Sequence, residues 1–299
     1  MVGASPKWDE MSASDDNISP HGQNCRRLHL DGLLPWEPSM IAFQTPDGLR
    51  GRLVTPDPEY AWTGELVTEP VLWITDDWLT WEDAGRLWAD FLPRHRETAL
   101  WPLLLHNETD DGYPWHVGAI APVPSSWADA VDVDEWLSQS WQRTFVDMYP
   151  DEAPFDVWPG RAPSGETGSD PNHVAVELAI SPSEIGDLLT GSGHGPFLGL
   201  VPARDGAEAV IASGWYSDGG IKETTALLRT WQERFGVRLC SLGPSRFSVT
   251  VAWPPRTLDH ARRVAAEHFA FCPDLLQGYD FQEYAAEIVD APAWSFWWD

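Results

Sequence analysis

Cysteine is scarce in this chain of 299 residues: Cys25, Cys240 and Cys272 are widely spaced and odd in number. That excludes a framework of paired disulfides and fits a reducing compartment. Long apolar runs are missing too. Nowhere do 18 consecutive apolar residues occur, so no membrane-spanning helix is expected, and the opening stretch MVGASPKWDEMSASDDNISPHGQNCRR lacks the apolar core of a secretory signal. A cytoplasmic location is the expectation. Positive charge is in short supply: 19 Lys plus Arg stand against 46 Asp plus Glu, a net charge of −27. That field repels phosphate backbones and anionic bilayers, and the densest basic pairs, Arg26–Arg27 and Arg262–Arg263, do not offset it. Nucleic acid and membrane are therefore not expected partners. A basic protein is favoured.

Motifs for catalysis, metal binding or nucleotide binding are also wanting. GSGHGPFLG (191–199) has four glycines but precedes a strand pattern, whereas phosphate-cradling loops follow a strand and open a helix, so it reads as a linker. HNETDDG (106–112) gathers acidic residues without the ligand order of a calcium loop, and with Asp76–Asp77 it reads as solvated surface. His268 and Cys272 lie one helical turn apart on the stripe Leu258, Ala261, Ala265, His268 and Cys272. The one matching second pair for zinc is Cys25 with His29, so a buried histidine and an inert thiol are the simpler reading. A Cys–His catalytic pair lacks a marked orienting group and oxyanion donor. No metal and no cofactor are expected, and enzymatic activity is not.

What is present is ordinary globular composition, 43% hydrophobic and 22% charged residues, with 19 tryptophans against 6 tyrosines. Trp73, Trp81, Trp88, Trp101, Trp136, Trp141, Trp231 and Trp294 fall on core-facing positions, whereas Trp62, Trp78, Trp115, Trp127, Trp158 and Trp297 fall in loops or on opposite faces. Residues 1–27 read as a flexible leader. SMIAFQT (39–45) and LRGRLVT (49–55) flank Pro46-Asp47-Gly48 as a hairpin. VLWIT (71–75) is a buried strand; Thr80 and Asp83 cap a helix to about Leu92. Strands ALWPLLL (99–105) and WHVGAIA (115–121), a helix from Asp132 to Met148, a loop over 158–172 and a strand HVAVELAI (173–180) follow, then a short helix from Ser181 to Leu189. Beyond 190–196, a strand FLGLVPA (197–203), a helical turn over 206–214 and a helix Lys222–Phe235 precede a hairpin (237–243, 246–253). A helix from Thr257 to Cys272, another from Tyr279 to Val289, and the alternating strand Trp294–Trp298 end the chain.

Both 71–180 and 197–299 thus read β-α-β-β-α-β, the ferredoxin-like order. The expected fold class is α+β, two tandem α/β sandwich domains, 28–190 and 197–299, each a mostly antiparallel sheet with helices on one face. LLRTWQERFGVRL (227–239), HFAFCPD (268–274), EYAAEIV (283–289) and the closing WSFWWD, with GLVPA and Gly214–Trp215 before them, resemble the bacterial family catalogued as domain of unknown function 4253. LWPLLL (100–105) is similar to a segment found upstream in longer members. The resemblance implies a domain type and no activity, since the family has none established.

The leading functional expectation is a non-enzymatic protein-interaction module, of the immunity or antitoxin kind, that meets a basic protein through an acidic, Trp-bearing surface. Its alternatives are a small-ligand module or unrecognised enzyme with a pocket near His268, and an acidic nucleic-acid mimic. Trp231, His268, Cys272, Asp274 and Trp297 are the candidate binding residues.

Overall fold

Short polar side chains set where the helices begin. In the computed structural model, which describes residues 48–60, 67–106, 114–181, 195–215 and 220–299, Thr80, Asp132, Asp170, Asp205, Thr257 and Asp280 each accept a backbone N–H from the turn they open. In chain order the elements are β1 (Gly51–Val54), β2 (Leu72–Thr75), α1 (Trp81–Thr98), β3 (Leu100–Leu105), the single turns α2 (Pro114–Val117) and α3 (Ser126–Asp129), and α4 (Val133–Trp141). A π-helical stretch, Gln142–Met148, continues α4, and α5 (Pro171–Ala179) follows. Then come β4 (Phe197–Pro202), α6 (Gly206–Ala212), α7 (Ile221–Phe235), β5 (Arg238–Gly243), β6 (Arg246–Thr250), α8 (Leu258–Phe271), α9 (Leu275–Gly278), α10 (Phe281–Glu287) and β7 (Ala293–Trp297).

Two expected strands are not strands. HVAVELAI lies in α5 because Asp170 caps it, Pro171 takes its first turn, and Ala175, Leu178 and Ala179 are buried at helical spacing. WHVGAIA begins with α2 and runs on without regular structure. α1 also passes the expected end at Leu92, continuing through Pro93 until Ala99 turns left-handed. The leader, the partner strand 39–45, Cys25, His29, residues 107–112 and the helix and linker over 182–194 lie outside the described residues.

The described strands form one sheet, ordered β1-β2-β4-β3-β5-β6-β7. Tandem ferredoxin-like sheets are not what forms. β4, which opens the C-terminal half, stands between β2 and β3 and antiparallel to both; β3 runs parallel to β5 through Leu104–Ser241 and Leu105–Leu242. The reason lies in β2, β3 and β4, which are buried along almost their whole length, so each needs cover on both faces and neighbours on both edges. β7 instead alternates: Trp294 and Phe296 are buried while Ser295 is exposed.

Helices accordingly lie on both faces rather than one. Trp231 of α7 stacks on Phe296 of β7 at 5.3 Å, which places α7 on the face of Trp294 and Phe296. On the opposite face α5 sends Asn172 Oδ1 to accept from Arg238 Nε at 2.6 Å, and α1 packs beside α5. Pro102 in the central β3 has no N–H for a ladder. Indoles serve that place: Trp88 Nε1 donates to the Pro102 carbonyl at 2.9 Å and Trp101 Nε1 to that of Leu239 at 3.1 Å.

The closing segment completes the sheet edge through β6–β7 pairing, the Trp298 N–H to Ser245 carbonyl bond at 2.8 Å, and burial of Trp294, Phe296 and Trp298. Losing one buried aromatic costs about 3–5 kcal/mol, and three together match the roughly 5–15 kcal/mol stability of a whole domain. Deleting residues 294–299 is therefore expected to abolish cooperative melting, followed by near-ultraviolet circular dichroism; a truncated chain that still melts in one sharp transition contradicts this role for the strand.

Candidate functional site

α8 is buried from Val264 to Cys272, and that burial includes Glu267 and His268. A carboxylate there must be paired. Arg234 of α7 meets it with both arms, Nη1 on Oε1 at 2.7 Å and Nη2 on Oε2 at 2.6 Å. Trp231 Nε1 donates to Oε2 at 3.0 Å, and the Ala162 N–H to Oε1 at 2.7 Å. Arg234 also donates to the Ala162 carbonyl at 2.9 Å and accepts at its own carbonyl from Gly165 N–H at 2.9 Å, so the 158–172 loop is tied to the core.

The five residues singled out from sequence separate into two places. Trp231 and His268 sit edge to face at 5.1 Å inside the core, fully buried. His268 Nδ1 shares a 2.8 Å hydrogen bond with the Tyr284 hydroxyl; burial and the nearby Arg234 charge hold the imidazole well below its usual value. The other three meet at the C-terminal segment. Cys272 donates its thiol to the Trp297 carbonyl at 2.9 Å, and burial pushes that thiol up to about 12, so it is no nucleophile at neutral pH. Asp274 accepts from the Asp299 N–H at 3.1 Å, and Trp297 is half-buried. His268 and Cys272 share a helix turn but hold different partners. Leu258, placed on their stripe, is exposed.

Two hollows adjoin these residues. One, of about 370 Å³, is lined by Tyr279, Tyr284, Glu287 and Trp294, with His268 directly behind Tyr284 and Trp294. The second, of about 320 Å³, is lined by Trp136, Arg143, Met148, Phe271, Asp274 and Trp298. It opens beside a segment whose first three residues the sequence places at the end of the helix Asp132–Met148, with Met148 on its apolar face; Met148 is instead exposed. Val146, Met148, Tyr149 and Val157 are exposed, interleaved with exposed Asp147, Asp151, Glu152 and Asp156. Four of the eleven large hydrophobics exposed among the described residues thus fall within twelve positions. Trp136 and Trp158 are half-buried at its margin, Trp158 against Trp141 at 5.5 Å. The segment begins in the last residues of the π-helical stretch, a distortion that recurs at functional sites.

Residues 197–299 match the family described as Domain of unknown function (DUF4253). The matched DUF4253 region supplies β4 to β7 and α6 to α10, while both sheet neighbours of β4 come from outside it. No curated protein and no solved structure matches the chain. Among the described residues no three His, Cys, Asp or Glu side chains gather as ion ligands, and no helix is long and apolar enough to cross a membrane.

Other expectations meet specific partners. Asp76 pairs with Arg52 of β1 and Asp77 with Arg50 just before it, while Trp115 is buried and Trp78 exposed. Glu267, missed from sequence, had one signal: a single carboxylate inside VAAEHFAFC, a helix apolar almost all round.

Glu267→Ala leaves a buried guanidinium unpaired and is expected to cost about 3–5 kcal/mol in urea unfolding, against under about 1 kcal/mol for Arg161→Ala, whose bridge to Asp134 is exposed. A similar shift for both variants refutes the buried pair as a keystone.

Burial, helped by Arg246, depresses His106 from 6.5 to about 4. Below pH 6.5 the unfolded chain takes up a proton that the folded chain refuses. The contribution of neutral His106 is thus present above 6.5 and lost towards pH 4, at about 1.4 kcal/mol per pH unit. His106→Gln is expected to remove that slope from urea midpoints measured between pH 7 and 5; an unchanged slope contradicts it.

Proposed function

We propose that the chain is a non-enzymatic protein-interaction module, of the immunity or antitoxin kind, that takes a basic partner on the acidic surface over residues 146–157, with the half-buried Trp136 and Trp158 at its margin. The observation that carries this reading is the coincidence of four exposed apolar side chains with four exposed carboxylates in that one segment. Apolar groups of this kind supply affinity when covered, and surrounding carboxylates steer a cationic partner and fix its approach. The arginines support it from the other side: eight of those in the described residues are paired with Asp77, Asp76, Asp83, Asp90, Asp134, Glu208, Asp129 and Glu267, and the surplus of carboxylates over basic residues remains. The hollow of Met148, Phe271, Asp274 and Trp298 offers a place for an anchoring side chain beside the segment.

A second reading, a small-ligand module, rests on the 370 Å³ hollow in front of His268, whose wall holds two tyrosines and Trp294. An acidic nucleic-acid mimic has no comparable observation behind it.

The triple variant Asp151→Lys, Glu152→Lys, Asp156→Lys tests the first reading. In pull-downs from native lysate at low salt, the wild-type chain is expected to retain a stoichiometric basic protein, released by raised salt, and the variant to bind it at least about tenfold more weakly with an unchanged melting temperature. Equal retention by both proteins sinks the proposal.

A further inference from the structure

A third hollow, of about 520 Å³, lies where α1 and β4 end and α5 and β5 begin, away from residues 146–157. In a chain of net charge −27 it is lined by three arginines, Arg96, Arg204 and Arg238, and one carboxylate, Asp205. Their commitments differ. Arg204 is neutralised by the buried Glu208, which accepts from its Nε at 3.0 and 2.9 Å. Asp205 is held as the α6 cap, accepting from the Glu208 N–H at 2.9 Å. Arg238 has no carboxylate partner: Nε donates to Asn172 Oδ1 at 2.6 Å, Nη1 to the Val237 carbonyl at 2.9 Å, and Nη2 has no hydrogen-bond partner among the described residues. Arg96 is exposed and makes no ion pair among the described residues.

The neighbouring amides complete the pattern. Asn172 Oδ1 is taken by Arg238, and Gln232 Oε1 accepts from the Ala207 N–H at 3.2 Å, which assigns both amide orientations. Their NH2 groups are left as donors without partners among the described residues. His95 Nε2 faces the Ala203 carbonyl at 2.8 Å and must donate to it. The lining therefore presents amide donors left over once the amide oxygens are engaged, and two arginines that make no ion pair among the described residues, with Asp170 and Asp205 the carboxylates near Arg238. Burial above all lowers the Arg238 guanidinium from its ordinary value, Asp170 and then Asp205 partly relieve it, and the charge of Arg96 adds a smaller lowering. An anion in the hollow removes the repulsion between the two arginines.

We propose that this hollow is a binding site for a small oxyanion, a phosphate- or carboxylate-bearing molecule, held by the forked Arg238 and by Arg96 and oriented by the amides of Asn172 and Gln232. The site is independent of the acidic surface, and neither depends on the other.

The full chain is titrated by calorimetry with inorganic phosphate and, separately, with succinate at constant ionic strength set by chloride. One-to-one binding of either is expected, with a melting temperature that rises with its concentration. Arg96→Gln, an exposed and unpaired position, is expected to weaken that binding at least about tenfold without changing the apo melting temperature, and Arg238→Lys to weaken it by removing the fork. Arg256→Gln, which disturbs only an exposed bridge to Glu166, leaves binding unchanged. Binding of phosphate alone assigns a phosphate site, and of succinate alone a carboxylate site. No binding of either, or binding that survives both Arg96→Gln and Arg238→Lys, overturns the proposal.

Discussion

Glu267 and Arg234 form the buried ion pair on which the C-terminal half is organised. Desolvating two charges is costly, and attraction between them offsets that cost only when the remaining donors and acceptors are also served. Here they are. Trp231 and the Ala162 N–H complete the carboxylate, while Thr230 and the Ala162 carbonyl share the guanidinium. The pair locks α7 to α8, sets the Trp231 ring flat against Phe296, and so fixes the height of the helices above β7. It also pins a glycine- and proline-rich loop that makes few apolar contacts of its own. Gly165 packs its Cα so close to the Trp253 carbonyl that a side chain there would collide with it.

The same economy of positive charge shapes the surface. Arginines that enter the interior or its margin find carboxylates, as Arg204 does in Glu208 and Arg229 in Asp129. The excess acid is then left outside, where it solvates the protein and, between 146 and 157, alternates with apolar side chains. Arg238 departs from this pattern, with no carboxylate in hydrogen-bond reach among the described residues, and it shares its hollow with the exposed Arg96.

Local signals were legible where they were strong. Caps at Thr80 and Thr257 and the two-residue alternation of β7 each describe an interaction completed within a few residues, so sequence position is enough to read them. HVAVELAI was read the other way because its valines suit a strand, while the deciding Asp170-Pro171 cap lay just upstream in what looked like a loop. Trp231 on a core-facing position and His268 as a buried histidine were legible from helical spacing, and the structure encloses both in the core. Glu267, Arg238 and the 146–157 surface were missed because each depends on partners 33 residues away or more, or on exposure that no window of sequence reports.

By itself the sequence determined that this is an acidic α+β chain with three widely spaced cysteines, a C-terminal region resembling DUF4253, and a last strand that faces inward. Only the tertiary structure decided that β4 slots between β2 and β3 to make one sheet of both halves. Alternation within a strand specifies which side chains point inward, whereas strand order is specified by which fully apolar strands must cover one another's edges. That is a property of the whole sheet. No single strand carries it.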